Sequence, residues 1–152
     1  MPDFEIVERT EQPTAVVHEI VPTGELPQFF SRAFGQAFSA LQAQGLTPAG
    51  PPFALYFGLP GDEVEVEAGF PATEEVADQG PVHAGLLPGG RCAHAVHVGP
   101  YDSMSRTYAE LQQWMREQHL HPHEEMVEVY LSDPKEQPDP AYWRTEILWP
   151  VD

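Results

Sequence analysis

Residues 63–70, EVEVEAGF, set acid and apolar side chains in strict alternation, the two-residue period of a strand with one buried and one wet face. The same period runs through residues 3–9 and through TAVVHEIV at 14–21, predicting two strands separated by Pro13. The spacing then becomes helical. Leu26, Phe29, Phe30, Ala33, Phe34, Ala37, Phe38 and Leu41 recur every three or four positions, with Thr23 placed to cap the helix and Gly45 to stop it. FALYFGL at 53–59 and EVEVEAGF flank a Pro-Gly-Asp turn and predict a hairpin.

Residues 71–81 are polar and bounded by prolines, which marks a connection between two halves. VHAGLLP and RCAHAVHV follow as strands around Gly89-Gly90, and a helix is expected from about Ser103 to Gln118 with Asp102 as its cap. Met104, Tyr108, Leu111, Trp114 and Met115 share one side of it. After HLHPH come the strand MVEVYL, a long turn through Asp133 to Pro140, and a last strand, YWRTEILWP.

The two halves superpose as sequences. TAVVH lies on AHAVH with His18 over His97, Tyr56 falls on Tyr130, and Phe70-Pro71 on Trp149-Pro150. A β-α-β-β unit buries its sheet poorly alone. The expectation is therefore an α+β fold in one domain, residues 1–152, whose pseudo-symmetric halves (about 1–71 and 81–152) share one antiparallel sheet under two helices. A central pocket belongs between the helices, near the pseudo-twofold axis.

Charge narrows the partners. Seven basic residues against 24 acidic ones give a net charge of −17, which disfavours nucleic acid and anionic membranes and favours cationic ligands or basic protein partners. Cys92 is the only cysteine, so no intrachain disulfide can form. The amino terminus lacks a secretion-signal pattern and no apolar run approaches a membrane span, so a cytoplasmic location is expected. His119, His121 and His123 have a spacing that could catch a transition metal, but they fall in a helix-to-strand loop with no carboxylate pattern of known type beyond Glu124 and Glu125, and no phosphate-binding glycine loop or serine-nucleophile motif is present; neither metal nor cofactor is expected.

One residue breaks the apolar pattern. Glu128 sits in the strand MVEVYL on the same face as Tyr130, opposite Val127, Val129 and Leu131, so either it faces water or a cation needs it.

HVGPYDSMSRTYAELQQWM, VEVYLSDP and TEILWPV together resemble the GyrI-like small-molecule-binding domain, the effector-binding domain of AraC-type and MerR-type multidrug-sensing regulators. The resemblance implies an aromatic pocket between the halves in which Glu128 is the counterion for planar, lipophilic cations. Tyr130 and Tyr56 are the matching tyrosines of the two halves, and Ala54 stands where the first half would carry a second acid. Tyr101, Tyr108, Trp114, Trp143 and Phe34 are the further candidate pocket walls, although Phe30, Phe34 and Phe38, like Tyr108 and Trp114, equally fit an ordinary core stripe.

Because the first strand begins near residue 3, no helix-turn-helix module is expected, and the chain reads as a standalone binder. Two other roles fit the resemblance. One is hydrolysis of cyclopropane-bearing toxins with Glu128 as the catalytic acid or base. The other is a gyrase-inhibitor-like interaction through the acidic surface.

Overall fold

The computed structural model describes residues 4–58, 61–132 and 136–152. The expected strand start at residue 3, Leu59 and Pro60 of the hairpin, and Asp133 of the long turn lie outside them. The elements run β1 (Glu5–Arg9), β2 (Gln12–Pro22), α1 (Leu26–Ala43), β3 (Phe53–Phe57), β4 (Glu63–Pro71), β5 (His83–Leu87), β6 (Gly90–Val98), α2 (Met104–Glu117), β7 (Glu125–Tyr130) and β8 (Arg144–Pro150). All eight strands form one curled antiparallel sheet in the order β1-β6-β8-β7-β3-β4-β2-β5.

The order shows the duplication. β2-α1-β3-β4 and β6-α2-β7-β8 are the two units, and they meet where β3 pairs with β7. At that seam Ala54 lies directly opposite Glu128. These two positions are also equivalent in the repeat, so the pseudo-twofold axis passes through the pair.

Three local expectations are corrected. The two strands around Gly89-Gly90, whose spacing suits a hairpin, do not pair with each other: β5 pairs with β2 of the other half, and β1 pairs with β6. The halves thus exchange their leading strands, which ties the two ends of the sheet together. Pro13 lies inside β2 rather than before it, beyond the part of the strand that pairs with β4, where its carbonyl accepts from Ala72 N–H at 2.8 Å. His18 does not overlie His97. Ala15 faces Phe70 and Ala93 faces Trp149, so Ala15 matches Ala93, and His18 matches Val96. A slip of one residue reverses the face. His18 bonds Glu65 and Glu67 at the surface, while His97 is buried against Thr107.

Neither helix uses its expected cap. The Thr23 hydroxyl donates instead to the Gly61 carbonyl, and α1 opens with a proline in its first turn, where the missing N–H costs nothing. Asp102 lies in the 3-10 turn Tyr101–Ser103 ahead of α2, and no side chain caps that helix.

The helices cover one face of the sheet. α1 buries Phe29, Ala33, Ala37, Ala40 and Leu41. The sheet below offers Ala15, Val17, Ala54, Val66 and Ala68, so small residues on both sides let the backbones approach. Consequently Phe30, Phe34 and Phe38 do not point down into the core. The first two are half-buried and Phe38 is 40% exposed, so the stripe forms the helix's flank. α2 buries Met104, Thr107, Leu111 and Met115, which leaves Tyr108 on the corresponding flank. The other sheet face packs Val16, Phe53, Leu55, Cys92, Val127, Val129 and Leu148 within the curl.

Gly69 marks where β4 passes closest to β2. A Cβ there would lie 1.9 Å from the Ala15 carbonyl oxygen, a backbone atom that cannot yield without moving the strand. Gly69→Ala is expected to cost about 2 kcal/mol or more and to lower the melting temperature by several degrees, measured by thermal and urea unfolding.

Candidate functional site

Strand alternation puts Glu128, Ala54, Tyr56 and Tyr130 on the helix-covered face. Because β3 and β7 run antiparallel, Tyr56 and Tyr130 flank the carboxylate from opposite ends. Ala54, fully buried, contributes only a methyl group beside it. Glu128 is 9% exposed. Tyr108, leaning in from the flank of α2, donates to its Oε2 at 2.5 Å, and Tyr130 and Tyr56 donate to Oε1 at 2.9 and 3.5 Å.

This carboxylate is therefore held by neutral phenols. Among the described residues no lysine or arginine forms an ion pair with Glu128. Burial is the dominant influence on its proton and pushes the pKa above the ordinary 4.5; the three tyrosine hydroxyls, and more weakly the charge of His97, pull it back down. The tyrosines respond in the same sense. Burial first, and then the Glu128 charge, raise Tyr56, Tyr108 and Tyr130 well above an ordinary phenol, so all three remain protonated donors.

Aromatic rings surround the carboxylate cluster. Phe30, Tyr101 and Phe34 contact the Tyr130 ring at centroid distances of 5.9, 6.0 and 6.2 Å. Tyr101 also packs on Trp143 at 5.0 Å, and Phe70 bridges Phe34 and Phe38. Tyr108 meets Trp149 edge-on. The rings sit 5.0 to 6.2 Å apart, mostly in tilted and edge contacts with Phe30 stacked on Phe34, an arrangement that rotation about a few side-chain torsions can open.

Of the residues singled out from the sequence, Glu128, Tyr130, Tyr56 and Tyr108 share one hydrogen-bond cluster, and Tyr101, Trp143 and Phe34 join it through ring contacts. Trp114 does not. Its ring packs on Phe4 at 5.9 Å, away from this cluster. Phe70 and Trp149 were legible only as the repeat's matching aromatic-proline pairs, with nothing in their spacing to place them against Phe34 and Tyr108.

The sequence matches the GyrI-like small molecule binding domain over residues 2–152. The chain belongs to that family. No curated relative matches the sequence of this GyrI-like domain. Among solved structures, the EcmrR C-terminal domain is 23% identical with a TM-score of 0.84, covering 100% of this chain and 97% of that one. EcmrR in its complex with DNA is also 23% identical with a TM-score of 0.87, and here the match covers 99% of this chain but 57% of EcmrR. SAV2435 bound to tetraphenylphosphonium is 12% identical with a TM-score of 0.67, covering 99% of this chain and 94% of that one. A hydrolase from Listeria innocua is 17% identical with a TM-score of 0.71, covering 98% of this chain and 91% of that one. At these identities the likeness is one of fold.

The geometry gives a pH dependence with a definite sign. A carboxyl whose pKa is raised by folding stabilises the fold when protonated and loses that contribution as pH rises through the folded value. The difference in unfolding free energy between the native protein and Glu128→Gln is thus expected to move in favour of the Gln variant as pH rises from about 4 to 8. Tyr108→Phe deletes the shortest hydrogen bond to the carboxylate, and should cost about 1.5–3 kcal/mol at neutral pH and less at low pH. Urea unfolding across that pH range checks both.

Proposed function

We propose that this GyrI-like domain binds planar, lipophilic cations between its two helices, with Glu128 as the counter-charge. The observation that carries this reading is the buried carboxylate that, among the described residues, is held by three phenols and by no lysine or arginine. An ionised acid in such surroundings retains much of its desolvation cost, and a cation brought alongside recovers it in a medium where Coulomb attraction is poorly screened. The half-buried rings of Phe30, Phe34, Tyr130 and Trp143, with the more exposed Tyr101, add ring-face attraction of about 0.5–2 kcal/mol each for a desolvated cation.

Recognition by charge and flatness imposes little shape. Few directed hydrogen bonds remain for a guest, since the three tyrosine hydroxyls are already committed to Glu128. Such a site accepts many related compounds. The tetraphenylphosphonium-bound relative of the same fold supports the choice of cation.

Hydrolysis is the second reading, favoured by a Listeria innocua relative described as a hydrolase and by a buried acid able to carry a proton. In it Glu128 would deliver water to an electrophilic carbon, with the tyrosines holding the acid in place.

Calorimetric titration with tetraphenylphosphonium and with its neutral counterpart, triphenylphosphine oxide, separates charge from fit. Cation binding is expected to weaken at least tenfold in Glu128→Gln, while the neutral compound changes little; equal losses for both would refute the counter-charge role. Cation affinity should also rise with pH through the raised pKa of Glu128, since the guest competes with the proton. Incubation with an electrophilic cyclopropane compound followed by mass spectrometry tests the second reading, for which a product heavier by one water, absent with Glu128→Gln, is required.

A further inference from the structure

The duplication leaves one arginine without the acid that its counterpart has. In the first half Arg32 on α1 grips Glu19 of β2 with both guanidinium branches, at 2.5 and 3.2 Å. The buried positions Ala33, Ala37 and Leu41 match Thr107, Leu111 and Met115, so Arg32 corresponds to Arg106. The register that matches Ala15 with Ala93 makes Glu19 correspond to His97. Where a carboxylate met the first arginine, the second half has an imidazole. That imidazole is turned away, its nitrogens engaged by Thr107, Ser103 and the Pro100 carbonyl.

Beside Arg106 lies a cleft of about 810 Å³. Among the described residues the β1 ladder on β6 runs to the Glu5–His94 pair, and Val96 and Val98 give the cleft an apolar wall. Arg144 also lines the cleft, and its guanidinium has no hydrogen bond or ion pair among the described residues. Two of the chain's seven basic residues thus face one hollow in a protein of net charge −17. Two acids share it: Glu110, 34% exposed, stands 3.7 Å from the exposed Arg106 one helical turn away, and Glu5, 63% exposed, leans toward His94. Exposed pairs of this kind hold their partners weakly, so Arg106 remains available to a better-placed anion.

We propose that this cleft is a second ligand site, which takes the carboxylate of a small organic acid on Arg106 and Arg144 and its hydrocarbon part against Val96 and Val98. It lies outside the Glu128 cluster and does not depend on what that cluster binds. The incoming carboxylate reproduces, from a separate molecule, the bidentate contact that Glu19 makes with Arg32.

Amide chemical shifts of the 152-residue protein, followed by NMR at constant ionic strength, provide the test. Sodium benzoate is expected to shift the amides of Val96, Val98, Ser103 and Thr107 saturably, whereas benzamide, its neutral isostere, leaves them in place. Arg106→Gln, at a side chain 86% exposed and so without consequence for folding, should weaken benzoate at least tenfold. Glu110→Gln, which removes the competing acid, should tighten it by about threefold. Equal responses to benzoate and benzamide, or benzoate binding unaltered in Arg106→Gln, would overturn the proposal.

Discussion

A buried carboxylate, met by three phenols and, among the described residues, by no lysine or arginine, is the constraint around which this molecule is arranged. Moving an ionised acid out of water costs several kcal/mol after relaxation, and neutral donors return only part of it. Either the proton or a guest must make up the remainder. Both outcomes depend on the same placement, because Glu128 is reached from α2 by Tyr108, from β3 by Tyr56 and along its own strand by Tyr130. The position lies at the seam of the two halves, where the pseudo-twofold axis passes through the Ala54–Glu128 pair.

Symmetry supplies the location, and departures from symmetry supply the chemistry. A second glutamate at position 54 would set two carboxylates in direct cross-strand contact and force one to stay protonated. Alanine removes that conflict and leaves room for the surviving acid. The same division appears on the helices, where the equivalent flank positions are Phe34 on α1 and Tyr108 on α2. One wall is therefore apolar and the other donates to the acid. The exchange of β1 and β5 between halves holds the walls in fixed relation, because each half contributes an edge strand to the other.

Much of this was legible in the chain. The periods of two and 3.6 located both helices and the strands of each unit, and the break in apolar pattern singled out Glu128 while leaving open whether it faced water or a cation. The strand exchange was not legible. A Gly-Gly turn between two apolar runs has the chemistry of a hairpin, and only long-range pairing decides that Gly90 begins a strand whose neighbour is β1. The overlay of His18 on His97 failed for a related reason. Both segments are short and alanine- or valine-rich, so identity at one histidine outweighed the alternation, and the true register moved by one residue. Trp114 was misplaced because a stripe on a helical wheel says which residues share a side but not what lies at each end of it. The far end of α2 meets Phe4, not Glu128.

The aromatic cluster also bears on the proposed binding of cations with few directed contacts. Its core is rich in alanine and valine, with Phe29 and Trp149 among its buried rings, whereas Phe30, Phe34 and Tyr130 are only partly buried against it. Rings in that position are only half removed from water, so separating them forfeits part of a hydrophobic contribution, not a closely interlocked core. The rigid part of the molecule and the adaptable part are therefore different residues on the same helices. Phe29 and Phe30, adjacent in sequence, illustrate the split: the first is 2% exposed and anchors α1 to the sheet, and the second lies against Tyr130 at the edge of the acid's enclosure. A fold organised in this way can hold its charge fixed while the surface presented to a guest rearranges, which is the physical requirement for selecting by charge without selecting by shape.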